Sequence, residues 1–452
     1  MTPFVRVVVL NFNGGDLTTD CLTHLEQVDW PADRLELVMV DNSPADGVAE
    51  RVRRDHPTVR IVTAPRNLGF AGGNDLALRD LGAADYVALL NNDATIEPGW
   101  LRPLVAALEA DPSLAAANSK IVFAAEFVEV ELSTSGFTPG RGDPRDLGVR
   151  LSGVRVDGTD QWRDTQRAEG WWGIEHGGPD EVTFEWSKSS AVLRVPVTVG
   201  DDRSASRRVE LKLAAEREKS VTIGSGDESV SVTVGPTPAW HEIPLGGKAF
   251  DVINNVGSVL IEGGWGADRG YLEPDRGQYD EAAEVFAWCG GSVLLRRKYL
   301  DEVGVFDERF FLYYEDFDLS WRGRLAGWRY QYVPESRVRH IHSASSGEAS
   351  AIFQHHVERN RLLMLTKNAP AWLARQAAFR FVLSTASYGR RDVVSPVLRG
   401  HRPNTTLTAR RVRSFVDYLR LLPHALRERR RVRAHQVVPD EQLLSWAVPP
   451  RS

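Results

Sequence analysis

Residues 86–95, YVALLNNDAT, constrain the fold more than any other stretch: an apolar run rich in strand formers stops abruptly at Asn91, Asn92 and Asp93. A strand buried on both faces reads this way, because a parallel sheet covered by helices leaves no polar face. At the end of such a strand the backbone leaves the sheet at its carboxyl edge, where ligands bind in open α/β sheets. Asp93 is therefore a candidate metal ligand. A hard divalent cation takes oxygen donors and needs only one or two protein carboxylates when a substrate diphosphate supplies the others. Asn and Asp also favour turns through local hydrogen bonds, so a turn accounts for the triplet equally well when it is taken alone.

The same plan recurs upstream. Residues 5–10 run into Asn11, Phe12, Asn13 and Gly14, and a helix is expected over 17–27. Residues 35–40 end in Asp41, Asn42 and Ser43, and 59–63 precede RNLGFAGGN, which spans Arg66 to Asn74 ahead of a helical stretch. Four strands alternating with helices predict a doubly wound α/β sheet. Three of the four deliver Asn or Asp at the ligand-binding edge, a recurrence that turn chemistry explains less well. The glycines allow close backbone approach to a ligand, and Arg66 is a fixed positive charge suited to a diphosphate. The segment is neither a P-loop nor of GxGxxG spacing.

At 452 residues, two or three domains and a sizeable core are expected. From Arg361 onward, 18 Lys and Arg stand against 5 Asp and Glu, so a chain of net charge -6 ends in a strongly basic region. Cys21 and Cys289 are too few for a disulfide framework or a cysteine metal site; both are expected as free thiols in a reducing compartment. The chain opens directly on a strand-like run and holds no uncharged stretch of bilayer-spanning length, so neither a leader nor a spanning helix is expected, and the location is expected to be cytoplasmic.

Between 126 and 250 the pattern changes to short alternating runs, at 182–186, 191–199, 208–213, 220–223 and 229–234, separated by Gly, Asp, Ser and Pro. This reads as an inserted antiparallel sandwich of jelly-roll type. The stretch 251–280 is loop-rich. Beyond it, Glu315, Asp316 and Asp318 follow the aromatic run FFLYY. Acids collect at helix N-termini for dipole reasons, and a carboxylate there can equally serve as a base in an enclosed pocket. His340 and His342 follow an expected strand at 330–333 and an expected turn at Pro334. Two residues apart on extended chain, they share a face, and neutral imidazole suits manganese and other borderline cations.

VVVLNFNG, VMVDNS, PRNLGFAGGN and LLNNDA, in this order and spacing, resemble the nucleotide-sugar half of family 2 glycosyltransferases of GT-A fold, especially the rhamnosyltransferase-like branch. FAWCGG, the pair Glu315 and Asp316, a histidine after the next strand and the pair Arg359 and Asn360 continue the likeness. The resemblance implies that Asn11, Asn13, Asp41, Arg66, Asn67, Asn74, Asn91 and Asn92 line the donor pocket. It implies Asp93 and His340 as ligands of a divalent cation, Mn2+ or Mg2+, with His342 contacting phosphate or orienting its neighbour. Asp316 becomes the general base, and Trp288, Gly290, Gly291 and Glu315 the acceptor side. Asn91 stands where a strict DxD has its first carboxylate, so metal binding is expected to be weaker.

The implied activity is inverting transfer of a sugar, rhamnose first, from a nucleotide diphosphate sugar to a hydroxyl of a surface glycan or lipid-linked acceptor. The alternative from another class is a glycan-binding or scaffolding protein on a degenerate transferase fold. Trp162, Trp171, Trp172, Trp186 and Trp240 serve either core packing or sugar stacking. A polymerase of the same family would need spanning helices for export. The domains expected are 1–125 and 251–360 for the two transferase halves, 126–250 for the insert, and 361–452 for basic amphipathic helices. These helices suit an anionic membrane surface at the inner face of the plasma membrane, or simply pack on the catalytic domain. No nucleic-acid motif is present.

Overall fold

A computed structural model describes residues 2–140, 142–177, 182–198, 207–341 and 350–450. The chain forms two compact units, one from Met1–Ala124 with Ile253–Ser452, the other from Ala125–Val252.

In the first unit, β1 (Val5–Asn11), α1 (Asp16–Leu25), β2 (Leu35–Asp41), α2 (Val48–Asp55), β3 (Arg60–Thr63), α3 (Gly69–Leu78) and β4 (Tyr86–Asn91) alternate as the sequence predicts. β1 pairs in parallel with both β2 and β4, and β2 with β3. The order 3-2-1-4 reverses direction at β1, which opens the ligand crevice at the carboxyl ends of β1 and β4. The sheet continues from β4 through strand Ser292–Arg296, antiparallel, to β6 (Leu114–Phe123) and then to strand Arg329–His340, which is parallel to β6. A short β5 (Ala94–Ile96) and helix α4 (Leu101–Ala110) lie between β4 and β6. Val5, Val7, Val8 and Val9 of β1 are all buried. Each such side chain contributes about 1.5–3 kcal/mol on burial, and a strand covered on both faces gains from every residue.

The glycine-rich segment differs from expectation. It does not precede α3 but opens it, since the helix begins at Gly69. A Cβ on Gly69 would sit 2.2 Å from the Phe311 carbonyl oxygen, and one on Gly73 2.5 Å from Leu10 Cδ1. These glycines let α3 lie close against neighbouring chain.

Arg329–His340 also departs from the prediction, running straight through Pro334 where a turn is expected. The register to β6 shifts between Val333 and Arg337, so Pro334, which has no N–H to give, sits in a bulge where the ladder is interrupted. Ser336 anchors the bulge: its Oγ donates to the Trp100 carbonyl at 2.9 Å and lies 2.9 Å from Ser119 Oγ.

α5 (Arg297–Val303) and α6 (Glu315–Leu325) lie between strands Ser292–Arg296 and Arg329–His340, and α7 (Ala351–Asn368), α8 (Ala371–Gly389) and the long helix Thr406–Ala434 follow the sheet. The boundary expected at 360 falls inside α7. Lys367 on α7 is buried between Asp307 and Asp318, 2.9 and 2.8 Å from their carboxylates, which ties α7 to α6. Removing one partner of a buried pair of this kind costs about 3–5 kcal/mol. Among the described residues, no helix is long and apolar enough to cross a membrane. Cys21 and Cys289 are free thiols.

The second unit is one antiparallel sheet in the order 228–234, 219–225, 126–134, 182–197, 150–156, 208–214, 239–244. Its alternating residues, among them Val130, Leu132, Leu151, Leu193, Leu211 and Ile223, close on a single apolar cluster. The two strands expected at 182–186 and 191–199 are one, Val182–Val197. Its first part pairs with 150–156 and its second with 126–134, so Ser187–Ser190, which reads as a turn, is where the strand changes partner.

Candidate functional site

A cavity of about 780 Å³ opens at the carboxyl edge of the first unit's sheet. Asn91, Asn92 and Asp93 line it from the end of β4, Gly290, Gly291 and Asp316 from the far side, and His340 from the end of the long strand.

Backbone pairing joins two of these. β5 runs antiparallel to 338–340, placing Ala94 opposite His340, and Ile341 N–H donates to the Asp93 carbonyl at 3.0 Å. Asp93 Oδ1 consequently stands 3.0 Å from His340 Nε2. His340 Nδ1 faces Asn254 Oδ1 at 3.2 Å, and the Asn91 amide nitrogen faces Nε2 at 3.0 Å. With the ring proton on Nδ1, shared with Asn254, Nε2 keeps its lone pair. A carboxylate oxygen and an imidazole nitrogen then point into one space. That donor pair fits a divalent cation whose remaining ligands come from substrate and water. Among the described residues, no group of three His, Cys, Asp or Glu is gathered as a complete metal site.

The carboxylates facing this pair rest on a strained turn. Phe311, Tyr313 and Tyr314 have φ of 65°, 68° and 71°, and Tyr314 caps α6. Left-handed backbone at bulky residues costs of order 1–3 kcal/mol each and persists only where the surroundings enforce it. The enforcement comes from Arg359 and Asn360 on α7. Asn360 Nδ2 lies 2.8, 2.8 and 2.7 Å from the carbonyls of Phe310, Leu312 and Tyr313, and Arg359 Nη2 donates to Arg309 and Phe310 at 3.0 and 2.8 Å. The RN pair visible in the sequence is thus the clamp on the turn that presents Glu315 and Asp316.

Asp316 accepts hydrogen bonds from Gly290 N–H at 3.1 Å and Phe317 N–H at 2.7 Å, which fix its carboxylate. Burial raises its pKa to about 6 against the lowering effect of those bonds. Glu315 is pushed well above the carboxylate range, first by burial and then by the Asp316 charge, and its Oε2 is buried with no hydrogen-bond partner among the described residues. Burial is the first cause of both upward shifts, the direction expected where two close carboxyls share a dry wall.

The other sequence-predicted residues divide. Asn67 and Glu315 line the cavity; Asn11, Asn13, Asp41, Arg66 and Asn74 do not. Asn11 and Asp41 are buried and register-paired at the ends of β1 and β2, where the Asn11 amide donates to Asp46 at 2.9 Å. Asn13 accepts from Ser43 Oγ at 2.6 Å, and Asn74 donates to the Phe70 carbonyl at 2.9 Å within α3. Arg66 is exposed. A relay joins the two groups: Asn92 donates to Thr18 Oγ1, which donates to Asn11 Oδ1, both at 2.9 Å. Trp288, expected on the acceptor side, is fully buried in the core behind the glycine pair, because the chain turns toward the cavity only at Cys289. His342 lies outside the described residues.

Sequence reasoning missed Asn42, Asn254, Trp265 and Asp268, all on the cavity wall. Asn42 neighbours the expected Asp41 and binds Asn67 Oδ1 at 3.0 Å and Leu68 N–H at 2.8 Å, so the strand-end signal pointed one residue away. The other three come from the loop-rich 251–280 stretch. There Trp265 lies beneath the Arg361 guanidinium, 3.6 Å from ring centroid to Cζ, and Asp268 accepts from Asn255 at 2.6 Å.

Comparison with known proteins bears on this arrangement. Residues 6–150 match the model of glycosyl transferase family 2, and 272–383 that of glycosyl transferase family group 2. N-acetylglucosaminyl-diphospho-decaprenol L-rhamnosyltransferases from two strains of Mycobacterium tuberculosis, CDC 1551 / Oshkosh and ATCC 25618 / H37Rv, are each 41% identical over 88 residues, 19% of this chain. The match covers only 28% of the length of those relatives. Two solved structures align with 94% of the chain: GalNAc-T7 with UDP, GalNAc and Mn2+ (TM-score 0.46, 12% identity, 57% of that chain), and mannosyltransferase PcManGT from Pyrobaculum calidifontis with GDP-Man and Mn2+ (0.41, 13%, 88%). Likeness at that level is too distant to bear on chemistry. The two family-matched segments carry Asn91 to Asp93 on one wall of the cavity and Gly290, Gly291, Asp316 and His340 on the other, and the chain belongs to glycosyltransferase family 2.

Proposed function

We propose that the chain is an inverting glycosyltransferase that moves a sugar, with rhamnose the first candidate, from a nucleotide diphosphate donor to a hydroxyl of a surface glycan or lipid-linked acceptor. The observation that carries this reading is the meeting of Asp93, His340 and Asp316, from three distant parts of the chain, on one cavity. The rhamnosyl preference rests on the partial likeness to the mycobacterial relatives.

Asp93 and His340 would hold a divalent cation, Mn2+ or Mg2+, which when bound offsets charge on the departing diphosphate. Asp316, ionised near neutral pH and fixed by Gly290 and Phe317, takes the proton of the attacking hydroxyl. The acceptor oxygen forms a bond to the anomeric carbon as the carbon–oxygen bond to diphosphate breaks on the opposite face, so configuration inverts without a covalent intermediate.

Asp316→Asn is expected to lower transfer by about 10²–10⁴-fold while donor binding, read by thermal shift with dTDP-rhamnose, UDP-sugars and Mn2+, persists. Near-normal turnover of the variant would remove Asp316 from the role of base. Wild-type protein that binds glycans but neither binds nor cleaves any nucleotide sugar would favour the binding-protein alternative.

A further inference from the structure

Helix α8 carries two apolar stripes, and only one is covered. Leu373, Ala377 and Phe381 pack with Tyr418, Ala425 and Leu443 in a common cluster. Trp372, Phe379 and Leu383 are instead 56%, 63% and 53% exposed, with Val382 beside them at 43%. At 3.6 residues per turn Trp372, Phe379 and Leu383 fall within about 40° of one another, and Arg375 and Arg380 flank them on either side. The chain following α8 adds exposed Val394, Val397 and Leu398, the last 81% exposed. Residues 371–402 hold six arginines and one acid, Asp392, and α8 itself holds no acid.

We infer that the outward stripe of α8, continued by Val394–Leu398, lies in the interfacial layer of an anionic lipid bilayer. An aromatic and aliphatic ridge bordered by arginines is the distribution that places apolar side chains among acyl chains and cations at the headgroups. The charge selects the partner. A second copy docked through the same stripe would bring like arginines together, whereas anionic headgroups match them. The position also suits a lipid-linked acceptor: α7, whose Ile352, Phe353, His356 and Val357 wall the cavity, passes into α8 through Ala369 and Pro370 alone. The inference stands on α8 and does not depend on the catalytic reading.

Co-flotation of the full chain with phosphatidylcholine–phosphatidylglycerol vesicles, against pure phosphatidylcholine, tests it. Wild-type protein is expected to float with the anionic vesicles only. Arg375→Gln with Arg380→Gln should weaken partitioning about thirtyfold. Trp372→Ser, Phe379→Ser and Leu383→Ser together should weaken it at least about tenfold, with an unchanged melting midpoint because all three are exposed. Failure of wild-type protein to float with anionic vesicles, or undiminished binding by the triple serine variant, overturns the inference. So does a concentration-dependent dimer in sedimentation that the serine variant abolishes, which would assign the stripe to a second copy.

Discussion

The sandwich unit and the cavity unit use aromatic and charged residues to opposite ends. In the sandwich the indoles are covered by cations close to them in the fold: Arg167 lies 4.0 Å from the Trp162 centroid, Arg155 4.2 Å from Trp240, and Arg150 5.6 Å from Trp186. Charge there is resolved locally. In the cavity unit, Glu315 and Asp316 stand side by side in a buried wall on backbone held in left-handed conformation, each feature working against stability. Strain and like-charge crowding kept in place by dedicated clamps mark the unit that does chemistry.

Four outcomes would sharpen or break this contrast. On the proposed metal role, His340→Ala should lower metal-stimulated transfer at least about 100-fold, since losing even the partners of a metal ligand costs about 10–100-fold. A variant with unchanged metal stimulation would leave Asp93 alone as the candidate ligand. Asn360→Leu, which removes an amide NH2 whose two protons are shared among three carbonyls of the turn at 310–313, should cost about 2 kcal/mol of stability and about 10²-fold in turnover with donor affinity retained. Calorimetry and transfer assays on one preparation would separate the two effects.

The third outcome concerns pH. Because the Asp316 carboxyl is raised from 3.8 to about 6, kcat/KM should fall about tenfold per unit below that value. The same shift gives the folded state extra affinity for a proton, a contribution to stability present in acid and lost as pH rises through about 6. Asp316→Asn should therefore flatten the acid side of the stability profile while lowering turnover by about 10²–10⁴-fold. The smallest effect belongs to the sandwich, where Trp240→Ser should change stability by about 0.5–1 kcal/mol and leave turnover untouched. A large loss of transfer there would erase the distinction between the units.

Much of the first wall was legible in the sequence because strand, strand end and motif are contiguous: β4 and the triplet Asn91 to Asp93 fall where the apolar run stops. The opposite wall was less so. Asn254 sits on the short strand Ile253–Asn255 and Trp265 and Asp268 on the short strand Trp265–Asp268, segments too brief to show a period in the sequence. Pro334 misled because proline ordinarily ends a strand, and only the hydroxyls of Ser119 and Ser336 with the Trp100 carbonyl reveal a bulge. Gly69 and Gly73 suggested ligand approach; Gly69 does line the cavity, and the missing side chains of both also make room for Phe311 and Leu10. Local patterns name the residues, but long-range contacts decide what they are for.

The reach of Asn360 across to residues 310–313 has one further consequence. A truncated chain ending ahead of Ala351 would keep Asp93, Asp316 and His340 in its sequence and would lose the contacts that hold the turn at 310–313, so Asp316, the proposed base, would no longer be held in place. The far helices are thus part of the machinery even where they touch no substrate, and shortening the protein to its recognisable motifs would disarm it.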